Sequence, residues 1–377
     1  MTPETMQEAV NILAEHGGNI TRAALALGVP RTTLQTRLSN AARNGIAPGH
    51  FKNGVAPGYL MGKVTIQRGA DGAVERTWER QSPHSQAALD ALAAAVDGIL
   101  ADARGAIEPV APPTHHDSDL LTLIPMGDPH FGLMTWAQEV GENFDLRIAE
   151  SMTFAAVDRL CALTPSSETA MLLNLGDYFH ADNGTNRTPT SGATLDVDGR
   201  FQLIAQVGLR AMARCIRRLL EKHATVIVRN NRGNHDPHQA YMLSLAIDAL
   251  FSEEPRVEVE MTPASFYYYR FGKTLIGSTH GDGAKLADLP LIMASDVPQD
   301  WAAATWRVWH CGHFHHDQTK DHPGCTVETH RTLAANDAWH RHAGYRSARD
   351  MKAIIYSREH GEISRIRCGL SMLQAAA

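Results

Sequence analysis

Five short polar clusters, each placed just after an apolar run, constrain this chain more than any other feature. They are Gly127-Asp128-Pro129-His130, Gly176-Asp177-Tyr178-Phe179-His180, Gly233-Asn234-His235-Asp236, Thr279-His280-Gly281-Asp282 and Gly312-His313-Phe314-His315. Loops at the carboxyl ends of strands converge on one edge of an α/β sheet, so residues far apart in sequence can meet there. Asp128 and His130 stand two apart, which lets both point the same way from an extended loop, and His313 and His315 repeat the spacing. Glycine allows a sharp turn at the strand end and leaves room for a cation. Imidazole and carboxylate without thiolate suit manganese, iron or zinc. Two such ions need a shared ligand; a carboxylate can bridge them at about 4 Å, and a lone Asp between the pairs is the candidate. A lone Gly-Asp or His-x-His is an ordinary turn, but a run of such clusters in order, each at a strand exit, is not.

The runs between the clusters predict the fold. Leu120–Pro125, Met171–Leu175 and Thr225–Arg229 are continuous apolar stretches of the buried-strand type. Amphipathic helices are expected over 145–162, 198–223 and 238–251. Later strands are expected over 256–261, 265–271, 273–279, 306–311, 352–357 and 363–369. The pattern predicts an α/β (α+β) chain with two sheets packed face to face and helices outside.

With 377 residues, the chain can bury a sizeable core and carry an appendage. A net charge of −6 excludes a chain coated in basic residues, so any nucleic acid must bind through a local patch or a metal centre. Five scattered cysteines with no CxxC pair predict reduced thiols and a cytoplasmic setting. The N-terminus has no secretory pattern, and no apolar stretch is long enough to span a bilayer.

Residues 1–45 predict a small helical unit. Met6, Val10 and Leu13 recur at helical spacing, Gly17-Gly18 ends that helix, and Asn19 or Thr21 can cap the next. Ala23, Ala24 and Leu27 give the second helix its apolar face, and Pro30 suits the start of a third. The third helix should turn Leu34 and Leu38 inward and Arg31, Thr32, Gln35 and Arg37 outward. The stretch from His16 to Leu34 resembles the Fis-type helix-turn-helix family. That resemblance implies DNA as a partner, with Arg31, Thr32, Gln35 and Arg37 toward the major groove, and motifs of this kind often work as homodimers. Four arginines against three glutamates leave this unit at only +1, so phosphate contact by one copy is weak and salt-sensitive. Residues 46–118 are expected to be linker segments (46–60 and 105–118) around a hairpin over 61–79 and a helix bearing Leu89, Leu92, Val96 and Leu100. The remainder, 119–377, forms the main domain.

The order Asp-x-His, Gly-Asp-x-x-His, Gly-Asn-His-Asp, His, Gly-His-x-His resembles the calcineurin-like metallophosphoesterase superfamily over about two-thirds of the chain. The resemblance implies a two-sheet sandwich flanked by helices and two divalent metal ions, manganese first, with iron or zinc as alternatives. One ion would take Asp128, His130, Asp177 and His315, and the other Asp177, Asn234, His280 and His313, with Asp177 shared. It also implies that His235 sits over the phosphate and that Asp236 orients it. The second cluster lacks the Gly-Asp-x-x-Asp-Arg-Gly of the protein phosphatases. His180 there is similar to the repair nucleases, in which it would position or protonate the leaving strand; its alternative is a hydrogen bond behind the metal site.

These readings lead to a metal-dependent phosphodiesterase, with a DNA nuclease directed by residues 1–45 as the leading expectation. The pairing of modules is similar to phage-type metallophosphoesterases, which would place the protein in a host cytoplasm. Any motor or replication and repair partner would be a separate chain. The alternative is a small-molecule phosphatase or phosphodiesterase whose N-terminal unit serves assembly. A DNA-binding regulator with a purely structural metal centre fits the complete ligand set poorly. Of the remaining histidines, His115-His116 are expected to be solvated in a linker and His310 and His316 to lie at the surface. The segment Trp339-His340-Arg341-His342 is polar and aromatic, and Asn183–Arg187 is a candidate rim. Cys311 is read as buried packing.

Overall fold

The computed structural model describes residues 2–43, 46, 59–68, 74–83, 107–189, 191–342 and 344–374. The chain divides into two compact units, Met1–Ile99 and Leu100–Ala377. The expected helix with Leu89, Leu92, Val96 and Leu100 and the linker 47–58 lie outside the described residues.

In the first unit, α1 (Pro3–Glu15), α2 (Ile20–Ala26) and α3 (Arg31–Arg43) close around Ala9, Ala23, Ala24 and Leu34. Thr2 and Asn19 cap the first two helices by accepting from Thr5 N and Arg22 N. Gly17, Gly18 and Gly28 adopt left-handed backbone at the turns between helices, where a side chain is disfavoured. Strands β1 (Tyr59–Arg68) and β2 (Val74–Pro83) pair antiparallel, as the hairpin pattern predicts.

The second unit has four layers. Its six-stranded sheet is formed by β3 (Asp117–Met126), β4 (Ser167–Asn174), β5 (Thr225–Asn230), β6 (Val257–Glu260), β12 (Asp350–Ser357) and β13 (Gly361–Gly369). Their order is β13-β12-β3-β4-β5-β6, with β3 to β6 parallel and β12 antiparallel to both neighbours. Its five-stranded sheet is formed by β7 (Tyr267–Phe271), β8 (Thr274–Thr279), β9 (Trp306–Cys311), β10 (Gln318–His322) and β11 (Cys325–Thr329), ordered β10-β11-β9-β8-β7. Alternate residues divide the core. Leu121, Leu123, Met171, Leu173 and Ile354 meet Tyr267, Phe271 and Ile276 between the sheets. Ile124, Ala170, Leu172 and Val228 point the other way, onto α5 (Leu146–Leu163), which follows the short α4 (Ala137–Val140), and onto α6 (Phe201–Leu220) and α7 (Gln239–Leu250). On the far side, Leu275, Trp309 and Val327 pack under α8 (Leu289–Asp296), which leads into α9 (Pro298–Ala303). Among the described residues, no helix is long and apolar enough to cross a membrane.

Several expectations are corrected. The hairpin β10–β11 was not anticipated, because Gln318-Thr319-Lys320-Asp321-His322 is wholly polar and forms an exposed sheet edge. Residues 107–116 are not a free tether. Val110 donates to Glu254, and Ile107 and Val110 pack on the core. His116 pairs with Glu168 at 2.8 Å. His310 is fully buried, not at the surface, because it alternates with Trp309 and Cys311 on a central strand.

Candidate metal centre

All five clusters leave the carboxyl ends of β3, β4, β5, β8 and β9, and they meet at one edge of the sandwich. The backbone there is unusual. Six non-glycine residues among those described have left-handed φ, and five of them are Asp128 (44°), His130 (48°), Asp177 (49°), His313 (65°) and His315 (53°). Such backbone is costly for a residue with a side chain and concentrates at functional sites. The Asp128–His130 and His313–His315 loops are therefore not extended, as their spacing suggests; each turns under its strand end so that amides reach across to neighbouring loops. His130 N donates to Asp177 O at 3.0 Å, and His313 N donates to both Asp128 oxygens at 2.9 and 3.0 Å.

The loops touch because glycines allow it. A Cβ on Gly233 would lie 1.9 Å from Asp177 Oδ1, one on Gly176 would lie 2.7 Å from His280 Nδ1, and one on Gly312 would lie 2.9 Å from Asp128 Oδ2.

Two donor groups that include a carboxylate result at this edge, and His130 also groups with His180 and His235. Asp128, His130 and His315 form one, and Asp177, His280 and His313 form the other. In the first, His130 Nε2 and His315 Nε2 are 3.3 Å apart, and His315 Nε2 is 3.6 Å from Asp128 Oδ1. In the second, His280 Nε2 lies 3.2 Å from Asp177 Oδ2, 3.0 Å from Asn234 Oδ1 and 3.3 Å from His313 Nδ1. Ligands about 2.1 Å from one ion stand roughly 3.0 to 3.4 Å from each other in octahedral or tetrahedral geometry. The spacings fall in that range except His315 to Asp128, which is slightly wider, so the donors stand close enough for ions to be shared. Nδ1 of His280 faces the Leu175 carbonyl at 2.9 Å, which directs Nε2 into the cluster. Each group also draws on both sheets.

The electrostatics fit a cation. Burial opposes a charge on His280, but Asp177 and Asp128 outweigh it and raise its pKa to about 10. Burial likewise opposes a charge on His315, and Asp128 raises it nonetheless. The carboxylates thus pull protons onto imidazoles that a metal ion would displace. Burial, with His235 next to it, keeps His130 neutral.

His235 is half-buried, its amide donating to Asp177 Oδ1 at 2.7 Å and its Nδ1 facing the His180 carbonyl at 2.8 Å. Its ring stacks on His180 with centroids 5.2 Å apart and meets the edge of His130 at 4.9 Å. His180 places Nδ1 3.2 Å from His130 Nδ1, behind the donor groups. The expected role of Asp236 in orienting His235 is corrected. Its oxygens accept from the amides of Gly233, Asp177 and Phe179, bracing two ligand loops. Burial and then Asp177 raise its pKa to about 7.

The cluster floors a cleft of about 360 Å³ walled by Thr188, Ser191, Ala193, Thr194, Leu195, Asp337 and Tyr345. The wall begins just past the expected rim Asn183–Arg187. Helix α10 (Ala338–His342) follows Asp337, with Arg341 and His342 exposed. Sequence reasoning also missed Asp182, which accepts from the amides of His238 and Gln239 at the start of α7 and from His238 Nδ1 at 2.5 Å. The signal was a carboxylate two residues past His180. In the helical unit, Arg31, Thr32 and Gln35 are exposed, while Arg37 lies 3.6 Å from Glu8.

Fold and site together define a two-sheet α/β sandwich with paired histidine–carboxylate groups at one edge, in a chain that also carries a three-helix unit. The family model described as bacterial regulatory protein, Fis family, matches residues 10–40. No curated protein matches the chain. Among solved structures, the chain is similar to a conserved uncharacterized protein from Streptococcus pneumoniae TIGR4 described as a predicted phosphoesterase. That match has 12% identity, covers 66% of this chain and 98% of that one, and has a TM-score of 0.26. It is also similar to an archaeal phosphodiesterase (13% identity, 66% and 99% covered, TM-score 0.34). A third is a dimetal phosphatase from Danio rerio (8% identity, 66% and 98% covered, TM-score 0.35). At these identities and scores, the functional reading rests on the side chains described above.

Proposed function

We propose that this protein is a metal-dependent phosphodiesterase of the metallophosphoesterase type. One ion would be held by Asp128, His130, Asp177 and His315, and the other by Asp177, Asn234, His280 and His313. The observation that carries the reading is the meeting of two donor groups, at ion-sharing distances, on left-handed backbone at the floor of a cleft. Two bound divalent ions, manganese in the first instance, would polarise the phosphoryl oxygens and activate a water for in-line attack on phosphorus. His235 Nδ1–H is engaged by the His180 carbonyl, so its Nε2 donates only when the ring carries a second proton. In that state it stabilises charge on the phosphoryl group or protonates the leaving oxygen. His180 fixes His130 and, through its carbonyl, His235. Asp236 holds the Asp177 and Gly233 loops together.

DNA is the proposed substrate class, because residues 10–40 match a Fis-family model and Arg31, Thr32 and Gln35 are exposed on α3. A homodimer and nuclease activity belong to the same proposal. One observation favours a second reading, a small phosphodiester. The cleft has the volume of a small-molecule site, and among its described lining residues there is no Lys or Arg to track neighbouring phosphates.

The test is metal content together with hydrolysis of bis(p-nitrophenyl) phosphate, p-nitrophenyl phosphate and linear DNA, each with and without Mn2+. Two ions per chain and metal-dependent diester cleavage are expected. DNA cleavage that loses affinity but not chemistry on deletion of residues 1–45 supports the nuclease reading. Diester turnover with inert DNA supports the second. Fewer than two ions per chain, or no hydrolysis of any substrate, refutes the proposal.

A further inference from the structure

Behind the donor groups lies a second buried polar cluster. His310, Glu328 and His330 converge there, with His310 Nδ1 2.9 Å from His330 Nε2 and His310 Nε2 3.0 Å from the Tyr356 hydroxyl. The combination resembles a third ion site, but its carboxylate is already engaged. Lys352 Nζ lies 2.7 Å from Glu328 Oε1, and Arg365 donates to both Glu328 oxygens at 2.7 and 3.1 Å. Burial works against charge on Glu328, yet His330, His310, Arg365 and Lys352 together hold its pKa well below the carboxylate range. A further cation there would face two fixed ones.

What the cluster does hold is a lysine. Lys352 sits on β12 of the six-stranded sheet and is 2% exposed. Its ammonium lies 2.5 Å from Asp317 Oδ1 as well as near Glu328 on β11 of the other sheet. The second oxygen of Asp317 accepts from Arg367 on β13 at 2.7 Å. Asp317 stands two residues past His315, which is held in left-handed backbone. Burying an ammonium is expensive unless it is paired on more than one side, and here it is paired with carboxylates of two separate segments.

We propose that Lys352 is a positioning residue for the metal centre, acting through Asp317 to hold the His315 loop against Asp128 and His130. This rests on the metal reading above and deepens it. The tether is selective. His313, on the same loop, is fixed separately by its amide on the Asp128 carboxylate, and His280 by the Leu175 carbonyl. Loosening Asp317 should therefore weaken the ion held by His315 and spare the one held by His280 and His313. Groups that orient ligands typically change metal affinity by about 10- to 100-fold when removed.

The experiment titrates the full-length protein with Mn2+, following binding by calorimetry and the dinuclear signal by electron paramagnetic resonance. Asp317→Ala is the first variant, since Asp317 is only half-buried. The second is the charge-balanced pair Lys352→Met with Glu328→Gln, which leaves no buried ammonium or carboxylate unmatched. Both should retain one ion at wild-type affinity and bind the other 10- to 100-fold more weakly. The exchange-coupled signal should give way to a mononuclear one at limiting Mn2+, and kcat should fall with KM little changed. Lys352→Arg should restore part of the second ion's affinity. Wild-type affinity for both ions in Asp317→Ala, or equal weakening of both, overturns the proposal while leaving the metal reading intact. A wild-type chain that binds fewer than two ions overturns both.

Discussion

Gly233→Ala isolates the contribution of close loop approach to the centre. Gly233 has no left-handed φ, so alanine meets no conformational penalty and only space is tested. The added Cβ would stand 1.9 Å from Asp177 Oδ1 and 2.2 Å from Asp177 N, where ordinary contact begins at 3.4 Å. The Asn234 and Asp177 loops must therefore part by on the order of 1 Å, and a displacement of that size can cost about 100-fold in rate. Asp177 is the proposed shared ligand, so metal content should fall with activity. The assay measures Mn2+ stoichiometry and bis(p-nitrophenyl) phosphate turnover in parallel. Gly184→Ala and Gly283→Ala serve as controls, because neither meets an atom within 4 Å nor has left-handed φ. Retention of two ions and a rate within about threefold of wild type in Gly233→Ala would refute the reasoning.

Three further outcomes are expected. His235→Ala should lose about 100- to 10,000-fold in turnover while keeping both ions, since its side chain lies outside the two carboxylate-containing donor groups; a variant that also loses metal would make His235 a ligand. Arg31→Ala should weaken DNA binding and reduce the slope of log affinity against log salt by about 1, measured by fluorescence anisotropy; an unchanged slope removes Arg31 from the phosphate contacts. Burial lowers the pKa of His223 to about 4, whereas the unfolded value is near 6.5. The unfolded chain thus takes up the proton first: the stability from this group is complete above pH 6.5 and is lost as pH falls toward 4, by up to roughly 3 kcal/mol. Denaturant midpoints across that range should flatten in His223→Asn, and an equally steep dependence would exclude His223 as a source.

The sandwich was legible in the sequence wherever burial imposes an apolar run. Leu121 to Met126, Ala170 to Leu173 and Val226 to Val228 are enclosed on both faces, so their strands read directly. The polar edge strand Gln318–His322 gave no such signal, since solvent on its faces relaxes the choice of side chain. Proposed ligands were legible because glycine and a donor recur at each strand exit, and all seven line one centre or its immediate wall. Asp236 was assigned to orient His235 through the family resemblance, whereas the fold turns its oxygens to three backbone amides. Lys352 and Glu328 carried no mark at all. A buried lysine looks like any surface lysine until two strands from different sheets are brought together.

Each donor group takes residues from strands of both sheets: Asp128 and His130 from one with His315 from the other, and Asp177 from one with His280 and His313 from the other. An ion seated in either group would therefore rivet the sandwich across its seam. Its occupancy would be felt as resistance to the sheets sliding or parting, and unfolding would require letting go of the metal first. A chelator should accordingly loosen the whole four-layer body, extending well beyond the rim where catalysis is proposed to occur.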